Sequence, residues 1–137
     1  MPTDTGHDKP AEGSCIVVVA TNAPLHPLGL QRLARRAGLG LARTGSTAHN
    51  GSGEIFLAFS TGVRIPRQLR ETEIHICLVP ESSQALNLLF DATVEATEEA
   101  VLNALFRATT VSGIGGHTLY ELPIERTLDI LHKYGRL

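Results

Sequence analysis

The run Ile16-Val17-Val18-Val19-Ala20 constrains this chain more than any other segment. It is continuous, apolar and β-branched, which predicts a strand buried on both faces. A second run of the same kind follows at Glu54-Ile55-Phe56-Leu57-Ala58-Phe59-Ser60. Between them, Pro24 and Pro27 mark a turn and a helix start. Leu30, Leu33, Ala34, Ala37 and Leu41 then recur at helical spacing, while Arg32, Arg35, Arg36 and Arg43 fall mostly off that stripe and read as its solvated face. Gly45 closes the helix, and the stretch to Gly53 has the Gly, Ser, Thr and Asn composition of a loop.

Further along, 62–73 reads as a polar surface loop. Ile74, Ile76 and Leu78 alternate with His75, Cys77 and Val79, which predicts a third strand with a buried residue among His75, Ile76 and Cys77. Pro80 ends it. Ser82 or Ser83 can cap a long helix carrying Leu86, Leu89, Phe90, Val94, Val101, Leu102 and Leu105. Residues 111–116 predict a turn and 117–121 a short strand. Pro123 opens a last helix with Leu128, Leu131 and Tyr134 inward. The order of elements is a layered α/β pattern. Its strands are too apolar for the few helices that could cover them, so a partner sheet is expected from elsewhere.

Length and charge narrow the function classes. The 137 residues suit one domain, and a net charge of −2 makes no electrostatic case for a nucleic-acid or membrane partner. No apolar run approaches the roughly 20 residues that span a bilayer. Residues 1–13 read as a polar leader or linker with no signal-peptide pattern, and 14–137 as the folded domain. Cys15 and Cys77 sit on separate strand-like runs and are expected to be buried thiols of a cytoplasmic protein; the sequence leaves a bridge between them open.

Three positions carry candidate chemistry. Ser14 stands directly ahead of the first apolar run and follows Gly13. Cleavage of the Gly13–Ser14 bond would give that serine a free α-amine beside its hydroxyl, so that one residue holds a nucleophile and a base. While residues 1–13 stay attached, the Ser14 nitrogen is an amide and cannot act as a base. The plain alternative is a residue leading a strand out of a loop. In Ser52-Gly53-Glu54, an extended backbone turns a hydroxyl and a carboxylate to one side at the mouth of a sheet. A carboxylate there can orient a nucleophile, hold a substrate ammonium group or move a proton; the plain alternative is a turn with a solvated glutamate. Other motifs fail. The loop from Thr44 to Gly51 lacks the Lys and spacing of a phosphate-binding loop, and Gly113-Ile114-Gly115-Gly116 follows no strong strand. The histidines have no metal-ligand spacing, so neither a metal nor a cofactor is expected.

The segments Gly13-Ser14-Cys15-Ile16-Val17-Val18-Val19-Ala20-Thr21-Asn22-Ala23-Pro24-Leu25, Arg32-Leu33-Ala34-Arg35-Arg36-Ala37, Gly40-Leu41-Ala42-Arg43-Thr44-Gly45, Ser52-Gly53-Glu54-Ile55-Phe56-Leu57-Ala58-Phe59-Ser60-Thr61 and Glu95-Ala96-Thr97-Glu98-Glu99-Ala100-Val101-Leu102-Asn103-Ala104-Leu105 together resemble the small β-chain of DmpA-type enzymes. These are the L-aminopeptidase/D-esterase–amidases and β-peptidyl aminopeptidases, and the resemblance covers almost the whole chain from Ser14. It implies an αββα sandwich built with a larger α-chain cut from the same precursor at Gly13–Ser14, and further assembly of αβ pairs. It also implies a metal-free serine aminopeptidase acting on peptides, amides or esters, with Ser14 as nucleophile assisted by Ser52 and Glu54. The family's α-chain supplies an oxyanion-stabilising Asn and much of the pocket. Since one such donor is worth about 10²–10³ in rate, the β-part alone is expected to be nearly inactive. The turn at 112–116 reads Ser-Gly-Ile-Gly-Gly where the family pattern places an Arg-Asp pair. Two other readings stand beside this one: a non-catalytic fragment or subunit that keeps the fold, and an ornithine acetyltransferase-like acyl transfer, against which Ser14 speaks because that nucleophile is a threonine.

Overall fold

In the computed structural model the described residues are 13–68 and 70–137. The expected leader therefore lies, Gly13 excepted, outside the described residues. They divide into a unit ending at Glu98 and one beginning at Glu99.

The first unit is built on a β–α–β crossover. Strand β1 (Ser14–Thr21) and strand β2 (Gly53–Ser60) pair in parallel, Ser14 opposite Gly53 and Thr21 opposite Ser60, with helix α1 (Pro27–Arg43) between them in sequence. Parallel pairing requires such a crossover, because a chain leaving the end of one strand must return to the start of the next. Pro27 opens α1, where its missing N–H costs nothing, and His26 Nδ1 accepts the Leu28 N–H at 3.3 Å as the cap. At the far end of the strands the Thr21 carbonyl accepts the Thr61 amide at 2.9 Å, and Ser60 Oγ donates to the Ala23 carbonyl at 2.5 Å. Gly62 is required there: a Cβ on it would lie 2.1 Å from the Asn22 oxygen.

Helix α2 (Gln84–Arg107) starts where Ser83 Oγ accepts the Leu86 amide at 3.4 Å, as the sequence predicts. Its first half packs on α1. Leu25, Leu33, Leu86 and Phe90 form the core, and Gly40 of α1 lets the helices close, since a Cβ there would come within 2.6 Å of the Val94 oxygen and Thr97 Cβ. The buried Thr93 and Thr97 satisfy their hydroxyls on the Leu89 and Thr93 carbonyls of the preceding turns.

Within this chain the strands are covered on one face, and the other is bare, where the sequence expects a partner sheet from elsewhere: Ile16, Val18, Ile55, Leu57 and Phe59 are all exposed, while the alternate residues are half-buried on the α1 side. Several other expectations are corrected. The alternating segment 74–79 forms no strand. The Val79 amide donates to the Pro24 carbonyl at 2.9 Å, but the segment joins no ladder with β1 or β2. Its His75, Ile76 and Cys77 are all exposed, although Ile76 and Leu78 still line an apolar cavity of about 240 Å³ with Leu25, Leu30 and Ile65. Both thiols are free, Cys15 half-buried and Cys77 exposed rather than buried. The arginines of α1 are not simply a solvated face. Arg32 and Arg36 lie over the Phe90 ring at 5.1 and 4.1 Å, and Arg32 pairs with Glu81.

The second unit holds a hairpin and a helix. Strands β3 (Val111–Ser112) and β4 (Thr118–Leu119) pair antiparallel around a 3-10 turn at Ile114–Gly116. Gly115 and Gly116, at φ 73° and 78°, take the left-handed backbone this turn needs. The predicted turn thus contains a strand of its own. Helix α3 (Ile124–Lys133) follows Pro123 as predicted; Leu128 and Leu131 are half-buried, but Tyr134 is exposed rather than inward.

Candidate active site

Parallel register alone places the three sequence candidates together. Ser14 and Gly53 begin adjacent strands and face one another across the ladder, so Ser52 and Glu54 flank the residue opposite Ser14. Ser14 Oγ accepts the Gly53 amide at 3.2 Å. Ser52 Oγ donates to Glu54 Oε1 at 2.6 Å, the short distance of a charge-assisted bond. The Ser52 amide is in turn held by the His49 carbonyl at 2.7 Å, which anchors the end of the loop. Ser52 and Glu54 therefore do face one side, as their spacing predicts.

The pleat separates the two halves of the site. Ser14 shares the open face with Ile16 and Val18, whereas Ser52 and Glu54 belong to the α1 side with Phe56. Gly53, without a side chain, lies between them: even a Cβ there would stand 3.6 Å from Ser14 Oγ. Ser14 is solvent-exposed and Glu54 half-buried. On its own side Glu54 borders a cleft of about 430 Å³, walled by Gly38, Leu41, Ala42, Ala48 and Phe56. Ala48 holds a positive φ of 49° in the loop leading to the site.

Sequence reasoning missed Gly53 as a partner of Ser14, because an amide donor leaves no mark in side-chain identity. Only the pairing of two runs begun at equivalent positions could have signalled it. Among the described residues no group of His, Cys, Asp and Glu could hold a metal ion, and no helix is long and apolar enough to cross a membrane.

A serine hydroxyl at a strand start, held by a backbone amide beside a hydroxyl–carboxylate pair, is chemistry that can serve acyl transfer. Comparison with known proteins shows what the chain is similar to. The sequence profile of Peptidase family S58 matches residues 2–119, and the chain belongs to that family. It is 44% identical over 128 residues to the beta-peptidyl aminopeptidase BapA of Sphingosinicella microcystinivorans, covering 93% of this chain and 32% of that protein. The fold matches the PH0078 protein from Pyrococcus horikoshii OT3 with a TM-score of 0.80 and 48% identity, over 89% of this chain and 34% of the other. It matches the L-aminopeptidase D-Ala-esterase/amidase from Ochrobactrum anthropi, described as a prototype for the serine aminopeptidases and a variant of the Ntn hydrolase fold, with a TM-score of 0.78, 39% identity and coverage of 89% and 34%. The α/β fold expected from the sequence is therefore that of the serine aminopeptidases, and the chain spans about a third of the length of the relatives it matches.

Proposed function

We propose that this chain is the β-part of a self-processing serine aminopeptidase, with Ser14 as its N-terminal nucleophile. The observation that carries the reading is the Ser14–Gly53 contact set beside the Ser52–Glu54 pair. In processing, Ser14 Oγ attacks the Gly13 carbonyl carbon. The C–N bond breaks as the C–O bond forms, and the proton passes to the departing Ser14 nitrogen. Water then hydrolyses the Gly13 ester, leaving a Gly13 carboxylate and a free Ser14 amine.

The freed amine completes the site. Its pKa of about 7.7–8.0 leaves a useful neutral fraction near physiological pH. It takes the hydroxyl proton as Ser14 attacks a substrate carbonyl and returns it to the leaving amine. A backbone amine emerges between the two faces of the sheet, so it can reach the Ser52–Glu54 pair while the hydroxyl faces the open side. Ser52 relays or orients the proton, and Glu54 stabilises the ammonium form or anchors the substrate's amino group.

Substrates are peptides, amides or esters with a free amino terminus, and no cofactor takes part. The α-part of the same precursor covers the apolar sheet face and completes the pocket, and αβ pairs assemble further. We place the enzyme in the cytoplasm, where free Cys15 and Cys77 stay reduced.

The test is co-expression with the remainder of the precursor, followed by intact mass measurement and an aminopeptidase assay. A fragment beginning at Ser14 is expected in the active complex, and Ser14→Ala should abolish both cleavage and hydrolysis. An active complex in which the Gly13–Ser14 bond is uncut would exclude the mechanism.

A further inference from the structure

Ala48 is, among the described residues, the one non-glycine position with a positive φ, 49°. In that left-handed backbone the Cβ of an L-residue crowds the following carbonyl oxygen, a cost that glycine escapes and that asparagine can offset with its short polar side chain. Alanine has neither remedy. It is also exposed, so burial does not impose the conformation. The hydrogen bonds on either side do. Upstream, the Ser46 amide donates to the Leu41 carbonyl of α1 at 3.2 Å, and Ser46 Oγ accepts the Ala48 amide at 3.4 Å. Downstream, the His49 carbonyl accepts the Ser52 amide at 2.7 Å. Residue 48 is thus the joint between a turn tied to the end of α1 and a turn that ends on Ser52.

The ladder fixes where Ser52 lies, because Gly53 beside it begins β2 opposite Ser14. The His49 bond fixes how the Ser52 backbone is rotated, and with it the direction of the hydroxyl that donates to Glu54 at 2.6 Å. A right-handed or extended residue 48 would carry the His49 carbonyl away from that amide. Sparsely populated backbone of this kind persists where the surroundings over-determine it, and it clusters where function needs a fixed geometry. We propose that Ala48 is a positioning residue: its left-handed backbone sets the His49–Ser52 turn and through it aims Ser52 at Glu54. The proposal rests on the reading of Ser52 and Glu54 as partners of Ser14 in catalysis.

The test uses the assembled enzyme, alanyl p-nitroanilide and the variants Ala48→Gly, Ala48→Asn and Ala48→Val, each alone and combined with Ser52→Ala. Glycine and asparagine take a positive φ readily and should keep kcat within about threefold. Valine is β-branched and fits that backbone poorly. It should lower kcat by about 10-fold with little change in KM, the pattern of a contact that matters in the transition state. With Ser52→Ala already present, Ala48→Val should cost less than about twofold more, because residues that act through one another do not add. Full activity of Ala48→Val, or a loss that multiplies in full with that of Ser52→Ala, would overturn the proposal. So would losses of about 10-fold in both Ala48→Gly and Ala48→Asn, a comparison that stands even where the valine variant does not fold. An enzyme that Ser52→Ala leaves fully active would overturn the reading of Ser52 itself and the proposal with it, a result distinct from multiplying losses in an enzyme that Ser52→Ala impairs.

Discussion

The Ser14 hydroxyl accepts the Gly53 amide at 3.2 Å across the first rung of a parallel ladder. That bond ties the start of β1 to the end of the loop that presents Ser52 and Glu54. It links residues 39 apart in sequence without any side chain on the second partner.

Ser52→Ala removes the hydroxyl that donates to Glu54 at 2.6 Å. A hydrogen bond to a charged group contributes about 1.5–3 kcal/mol. At about 1.36 kcal/mol per tenfold, kcat/KM of the assembled enzyme should fall by about 10–100-fold. Both residues are half-buried, so the melting temperature should fall as well. Full activity in the variant would remove Ser52 from the mechanism.

In the proposed mechanism the base is the Ser14 terminal amine; such amines have a pKa of about 7.7–8.0, and it would work only when neutral. Activity should therefore rise as pH increases through that range and fall below it, in a profile of kcat/KM against pH. Acetylation of the Ser14 amine should abolish the rate at every pH. A profile flat between about pH 6.5 and 9 would count against the assignment.

Gly40→Ala should destabilise the first unit, because the added Cβ would stand 2.6 Å from the Val94 oxygen and Thr97 Cβ. Overpacking of this kind costs about 1–3 kcal/mol, so the melting temperature should drop measurably. A stabilised variant, as expected for alanine at an unobstructed helix position, would show that α1 and α2 are not packed so closely.

Leu33→Ala and Leu86→Ala each truncate a side chain 1% exposed. Each should cost about 2–5 kcal/mol in chemical denaturation. A loss below about 1 kcal/mol at either position would place it outside the core.

Expressed alone, the chain should self-associate. Ile16, Val18, Ile55, Leu57 and Phe59 form one contiguous apolar sheet face, all exposed. Light scattering should detect the association, and Val18→Lys with Leu57→Lys should reduce it. A clean monomer of the unsubstituted chain would contradict this account of the face.

Much of the fold was legible because it follows from local rules. The apolar runs named β1 and β2, Pro27 and Gly45 bracketed α1, and Ser83 capped α2, each through short-range sterics or hydrogen bonding. Segment 74–79 misled because alternation records which side chains share a face, not whether a strand is at hand to pair with. The arginines misled similarly. Helical spacing put Arg32 and Arg36 off the apolar stripe, but α2 supplied Phe90 for them to stack on.

By itself the sequence determined β1, α1, β2, α2 and α3, the family resemblance and the identity of Ser14, Ser52 and Glu54, since spacing and side-chain chemistry are properties of the chain. Only the tertiary structure decided that β1 and β2 pair in parallel with Ser14 opposite Gly53, because register depends on backbone groups that are the same in every residue. The same register placed the hydroxyl on the open face and the Ser52–Glu54 pair on the other.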